Sequence, residues 1–379
     1  DTFEDWYSPL GVSRADYLST YDGEWSTSLA RVLVDSGIEV HLVHGTLGDA
    51  QAATQLPSGA TAHFVPTTPA YRALRWLAWG HRWWERTQGL QKLAPVAATL
   101  SPRLVRELVR LRPDVVVVQD YETLRYDIAA PLLRLAGLRV AGMDTGASAR
   151  PSRAWWKPWT RRLAAQLLSV HEAEAARLRT AGHRRVSVGP APVRTDVLVP
   201  GDRAAARAQL GLESDARVVF SAARLHPVKN LPLLADVCRD AGADLVIAGE
   251  GAERSRLERQ GVRLLGWQSV GQLVTWYAAA NVVALSSNSE GQPIALLEAF
   301  ACGRAVVATA VGGVPEVVRD GETGWVVPPR DRTALASALE QALADPVLTD
   351  SYGENGRRLV LTAHTPPAVA RAFERLVRS

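Results

Sequence analysis

Short apolar, β-branched runs alternate with helix-length stretches along the chain. They fall at Val40–Val43, Val115–Val118, Arg139–Ala141 and Val186–Val188, and again at Val218–Ser221, Leu245–Ala248, Val282–Leu285, Ala305–Ala308 and Trp325–Val327. Runs without polar alternation suit strands buried on both faces, and the spacing leaves room for crossover helices. The pattern therefore predicts parallel sheets wrapped by helices. Two such series imply two α/β domains. Between them, residues 189–203 hold three prolines and two glycines that interrupt both periodicities, which places a linker there. The expected organisation is one domain over 1–188, a linker over 189–203, a second domain over 204–350, and helices over 351–379. The last of these, Pro366–Arg378, starts on prolines that a first helical turn tolerates, and it is expected to pack back on the N-terminal domain. Residues 1–28 read as a long polar loop entering a helix at Thr27–Ser36. A doubly wound domain normally opens with a buried strand, so the chain is expected to begin just after one.

Composition narrows the picture. With 379 residues, 47% hydrophobic and 22% charged, the chain can bury a large core and its length favours two domains. Only Cys238 and Cys302 are present, each inside an apolar run, which supports neither a disulfide framework nor a Cys-based metal site and suits a reducing compartment. No apolar run reaches the roughly 18 residues of a spanning helix. A net charge of +4 and a pI near 9.3 suit anionic partners.

Two segments carry chemistry. In SAARLHPVKN, Ser221 to Asn230, a strand runs into a loop holding Arg224 and Lys229 before a helix that Pro232 helps start. Loops beyond the carboxyl ends of strands are where doubly wound sheets bind ligands, and two cations beside a helix N-terminus suit a diphosphate. In the second segment, Ser286 to Glu316, Glu290 and Glu298 lie eight residues apart, with a Gly291–Pro293 turn between strand and helix. Main-chain N–H groups there can meet a sugar or phosphate, and a carboxylate can accept both hydroxyls of a ribose. Two carboxylates within the apolar IALLEAFACG stretch are out of place as solubility charges.

At these residues the chain resembles glycosyltransferase family 4, the retaining, nucleotide-sugar-dependent enzymes of the GT-B fold. The family's Glu, seven residues, Glu signature stands here as EGQPIALLE, with the glycine-rich return ACGRAVVATAVGGVPE behind it; SAARLHPVKN and LVIAGEGAE resemble its other loops. The resemblance is strong over about 186–345. It implies an α/β fold of two Rossmann-like domains with parallel sheets facing across a cleft, the first binding an acceptor and the second the donor. By resemblance Arg224 and Lys229 hold the donor diphosphate, Glu298 the ribose, and Glu290 with Gly291, Gln292, Pro293 and Ile294 the transferred sugar. Three positions depart from the family. Asp144 in VAGMDT stands where a strand-end His is usual, the glycine pair of the first strand–helix loop is reduced to Gly23, and the linker reads PAPVR. Asp120, ending VVVVQD, is the other polar strand end in the N-terminal domain, where a helix cap is the competing role. The catalytic set is therefore Arg224, Lys229, Glu290, Asp144 and Asp120.

The implied activity is hexose transfer from a nucleoside-diphosphate sugar to an acceptor hydroxyl with retention, the acceptor being lipid-linked or a cell-envelope glycan. The rivals are a nucleotide-sugar epimerase of the same fold and a non-catalytic sugar-nucleotide-binding protein. No cofactor is implied beyond the donor co-substrate, and no metal, since no Asp-x-Asp occurs and the eight histidines supply no pair at ligand spacing beside carboxylates. Gly249 and Gly251 are followed by Arg254 where a dinucleotide fingerprint needs its third glycine.

Seven of the twelve tryptophans lie in two basic segments. One holds Trp76, Trp79, Trp83 and Trp84 among Arg72, Arg75, Arg82, Arg86 and Lys92; the other, Arg150 to Arg162, holds Trp155, Trp156 and Trp159 with five basic residues and no acid. Indoles and basic side chains together suit an anionic membrane surface. The expected setting is cytoplasmic, peripheral on the inner membrane face, with no nucleic-acid partner.

Overall fold

The computed structural model describes residues 2–7, 12–19, 25–69, 71–73, 101–144 and 154–378. Two compact units result, one of residues 1–21, 33–189 and 371–379, the other of 22–32 and 190–370.

Among the described residues the N-terminal unit holds two sheets. Strands β1 (His41–Thr46), β2 (Thr54–Gln55) and β3 (Thr61–Pro66) form one in the order β1-β3-β2, with β1 parallel and β2 antiparallel to β3. Strands β4 (Val116–Gln119), β5 (Val140–Met143), β6 (Gln166–Ser169) and β7 (Val186–Val188) form an all-parallel sheet in sequence order. The helix Leu124–Leu135 starts at Thr123, whose hydroxyl accepts from the Tyr126 N–H, and buries Tyr126, Ala130 and Leu133 with Leu167 and Val140.

The expected polar loop at the start of the chain is instead two short helices, Phe3–Tyr7 and Arg14–Ser19. Phe3, Tyr7 and Tyr17 are buried, and their rings pack against one another and against Phe64 and His44. Aromatic burial decides this segment. Phe3 and Tyr7 are one turn apart, so even a five-residue helix can bury both rings on one side. The Tyr17 hydroxyl bonds His44 Nε2 at 3.0 Å, and burial pulls the His44 imidazole down to about 4.

In the C-terminal unit six parallel strands, β8 (Val218–Ala222), β9 (Asp244–Ala248), β10 (Arg263–Gly266), β11 (Val282–Leu285), β12 (Val306–Thr309) and β13 (Gly324–Val327), order as β10-β9-β8-β11-β12-β13. The order reverses between β8 and β11, the topological switch point where such sheets bind ligands. Both faces are buried. Phe220, Val246 and Leu285 join Leu296, Leu297 and Phe300 on one side, while Val219, Ile247 and Ala284 join Leu234, Leu257 and Leu339 on the other. Several of this unit's helices begin on side-chain caps that the sequence supplies. Asp202 caps Arg203–Leu210, Ser269 and Gln272 form a capping box for Val270–Ala279, and Asp331 caps Arg332–Ala344.

Candidate functional site

The two chemistry-bearing segments meet at the switch point of the C-terminal unit. After β8 the chain passes Arg224, makes a single 3-10 turn at Pro227–Lys229, and enters the helix Leu231–Asp240 through Asn230, which adopts the left-handed conformation. After β11 it passes Ser286 to Glu290 and enters the helix Ile294–Ala301, whose first turn has no side-chain cap. Hydrogen bonds join the two loops. The Asn288 N–H donates to the Val228 carbonyl at 2.7 Å, and the Ser286 hydroxyl reaches the Lys229 and Asn230 carbonyls at 3.0 Å each.

Lys229 Nζ donates to both Glu290 oxygens, at 2.6 and 2.8 Å, and the Ser287 hydroxyl donates to Glu290 Oε1 at 2.5 Å. The Glu290 side chain is only 7% exposed and that of Lys229 16%. A charged pair so far removed from water interacts more strongly than a surface pair, and it holds its two heads at a fixed separation. Arg224, on the same loop, is exposed.

Two glycines let backbone approach where no side chain fits. Gly312, at φ 53, would place a Cβ 1.7 Å from the Glu290 carbonyl oxygen, while its neighbour's N–H donates to the Gly291 carbonyl at 2.9 Å. Gly249, at φ 148, would place one 2.0 Å from the Ala223 carbonyl oxygen, beside Arg224. The glycine-rich return and the Gly-x-Gly strand end are thus steric complements of the two loops.

Glu298 lies one turn into the helix Ile294–Ala301. Its Oε2 accepts from the Tyr277 hydroxyl at 2.8 Å, and Tyr277 is fully buried. Burial pushes the Glu298 carboxyl up to about 7 against the opposing pull of that hydrogen bond, and burial also holds the Tyr277 hydroxyl well above its usual range. The side-chain oxygen of Gln292 is buried and, among the described residues, has no hydrogen-bond partner. A buried acceptor left without a donor is costly, and a bound hydroxyl is a fitting occupant.

Not all the expected residues converge. Asp120 and Asp144 end the neighbouring strands β4 and β5 of the other unit. The Asp120 N–H donates to the Met143 carbonyl at 2.5 Å and the Asp144 N–H to the Leu168 carbonyl at 2.9 Å. Asp120 is not the cap of the following helix; Thr123 is. Asp120 turns at φ 58, its carbonyl accepts the Thr123 hydroxyl at 2.7 Å, and Arg125 lies 3.5 Å from its carboxylate. Asp144 is buried, and its charge helps hold the Tyr121 hydroxyl above its usual range, after burial itself and the charge of Glu174. Gly23 lies outside the described residues, as do the tryptophans from Trp76 to Trp84; of that segment's basic residues only Arg72 is described, donating to the Gly48 carbonyl at 3.3 Å. Ser287 and Tyr277 were not singled out in the sequence. Ser287 sits inside the motif three residues from Glu290, so proximity was a usable signal, whereas Tyr277 comes from a different helix and reads as ordinary core.

Solved structures share this architecture. Sucrose-phosphate synthase from Thermosynechococcus elongatus aligns over 96% of this chain and 95% of its own, with TM-score 0.76 and 23% identity. Anabaena HepE in complex with UDP and glucose aligns over 95% and 98%, with TM-score 0.70 and 17% identity. The chain is therefore an α/β protein of the GT-B fold, with two Rossmann-like units. More narrowly, residues 202–359 match the family described as Glycosyl transferases group 1, so the C-terminal unit carries a domain of that kind. A D-inositol 3-phosphate glycosyltransferase of Mycobacterium avium (strain 104) is 38% identical over 197 residues, 48% of this chain and 45% of that protein. The chain spans about half the length of the curated relatives it matches.

Proposed function

We propose that the chain is a member of glycosyltransferase family 4 that moves a hexose from a nucleoside-diphosphate sugar to an acceptor hydroxyl with retention of configuration. The observation that carries this reading is the Lys229–Glu290–Ser287 cluster, built from two hydrogen-bonded loops at the switch point of a parallel sheet. Arg224 and Lys229 receive the diphosphate, Glu298 the ribose hydroxyls, and Glu290 with the Gly291–Ile294 backbone the sugar. As the bond between the anomeric carbon and the diphosphate oxygen breaks, charge collects on the departing diphosphate, where fixed cations and helix-terminal N–H groups stabilise it. The acceptor oxygen bonds to that carbon, and its proton passes to a diphosphate oxygen. Asp144 and Asp120 orient polar groups in the N-terminal, acceptor-binding unit. No divalent metal takes part, since the sequence offers no Asp-x-Asp.

The acceptor is lipid-linked or a cell-envelope glycan, and the protein works peripherally on the cytoplasmic membrane face. No described helix is long and apolar enough to cross a membrane. UDP-sugars are the first donors to test, because the solved HepE structure contains UDP and glucose. Thermal shift across UDP-, GDP- and ADP-sugars, followed by NMR of the product anomer, checks the reading. A bound donor raises Tm by mass action, and stabilisation by none of the panel, or an inverted product, would sink it.

A further inference from the structure

The short helix Lys157–Arg162 is polar on the inside and aromatic on the outside. Two of its three cations, Lys157 and Arg161, point inward, and Arg162 is exposed. Lys157, with a side chain 1% exposed, donates to Asp127 at 2.7 Å and to the Thr123 carbonyl at 3.0 Å, and Arg161 makes a two-pronged contact with Glu122 at 2.5 and 2.7 Å. The Thr160 hydroxyl also donates to Asp127, at 2.5 Å. Outward stand Trp155 and Trp159, 79% and 71% exposed, with Trp156 between them at 38%, its indole N–H tied to Asp127 at 2.9 Å. Buried ion pairs under exposed indoles reverse the usual arrangement of a surface helix.

At the C-terminal end of this helix the surface turns basic. Arg134, Arg139, Arg162 and Arg185 line a hollow of about 280 Å³, and among the described residues no acidic one lines it. Leu135, 84% exposed, adjoins it in sequence. The hollow lies at the amino ends of β5, β6 and β7, away from the carboxyl ends that carry Asp120 and Asp144. Trp159 and Arg162 are one turn apart on this helix, and an exposed indole next to a guanidinium group matches the two layers of an anionic bilayer surface, acyl boundary and phosphate.

We infer that this flank of the N-terminal unit is a docking surface for an anionic lipid bilayer, with Trp155 and Trp159 entering the interface and Arg162 and Arg185 meeting headgroup phosphates. The inference rests on the peripheral-membrane reading above and names the surface that would produce it.

Co-sedimentation of the full chain with phosphatidylcholine vesicles, with and without phosphatidylglycerol, tests it. Wild type is expected to bind the anionic vesicles. Arg162→Gln with Arg185→Gln should weaken that binding roughly 25-fold at low salt, about fivefold per charge, and should converge on wild type at high salt. Trp155→Ala with Trp159→Ala should weaken it at every salt concentration. All four residues are exposed, so Tm should not move; should the tryptophan pair lower Tm, the arginine pair decides. Wild-type affinity in both double variants would overturn this surface while leaving the membrane reading intact. Absence of binding to any vesicle would overturn both. Self-association that both variants abolish, without vesicle binding, would also overturn the inference, making the flank an interface between copies.

Discussion

In the C-terminal unit the charges proposed to be functional, Lys229 and Glu290, sit in loops at strand ends, tied to main chain and within reach of a ligand; in the N-terminal unit a buried charge cluster is centred on Glu122, in the loop after β4, and ties helices together. There Glu122, 4% exposed, accepts from Arg161 and Arg177, and Arg177 also binds Glu174 at 2.5 Å. Both arrangements are buried ion pairs, and burial alone does not separate a site from a strut. Position at the topological switch point does. The Lys229–Glu290 pair occupies the switch point of a doubly wound sheet, whereas the Glu122 network fastens the helices Lys157–Arg162 and Glu172–Thr180 to one another.

The sharpest way to break this contrast is Glu122→Ala. It leaves Arg161 buried without its carboxylate, and urea unfolding should show a loss of roughly 3–5 kcal/mol. Donor affinity of the folded protein should stay unchanged, and a weakened donor with intact stability would reverse the assignment of strut and site. Next comes Gly312→Ala, whose methyl group meets the Glu290 carbonyl at a backbone angle unsuited to alanine. It should cost on the order of 3 kcal/mol and also abolish donor-induced thermal shift. Arg224→Ala and Lys229→Ala should each remove 1.5–3 kcal/mol of transition-state stabilisation, about 10- to 150-fold in kcat/KM. Near-wild-type kinetics in both would end the diphosphate assignment.

A smaller effect concerns Glu298. Because its carboxyl is raised to about 7, the folded state binds a proton that the unfolded chain releases at its ordinary 4.5. Stability from this group therefore falls as pH rises through that window. Under the proposed ribose role the ionised form is the acceptor, so nucleoside-diphosphate affinity should rise from pH 6 to pH 8, by roughly tenfold if only that form binds. Calorimetry of Glu298→Gln should show weak binding without that slope, and a slope that persists in the variant would assign it elsewhere. The smallest effect is none at all: activity should survive EDTA, and loss restored by Mg²⁺ or Mn²⁺ would show a metal requirement that the sequence hides.

Legibility differed between the units for physical reasons. Strands β8, β9, β11 and β12 each hold a run of three or more apolar residues because both faces are buried, so apolarity alone marked them. TAHFVP, QLLS and RLLG carry polar residues, and β3, β6 and β10 went unmarked. The N-terminal helices were missed because five or six residues are too few to show a period, and their helical state comes from packing around Phe64 and His44. Lys229 and Glu290 were readable because each lies within a local strand–turn–helix pattern. Their direct bond was not, and neither was Tyr277 against Glu298, since crossover connections bring these partners together from 61 and 21 residues apart.

The Ser286 hydroxyl, shared between the Lys229 and Asn230 carbonyls, has a consequence for redesign. Together with the Asn288 N–H on Val228 and the glycine contacts behind it, this bond makes residues 224–230, 249–251, 286–294 and 309–313 one transplantable cassette. A chimera that exchanges any of the four alone inherits mismatched seams. One that exchanges them together carries the spacing of Lys229 and Glu290 intact into its new host.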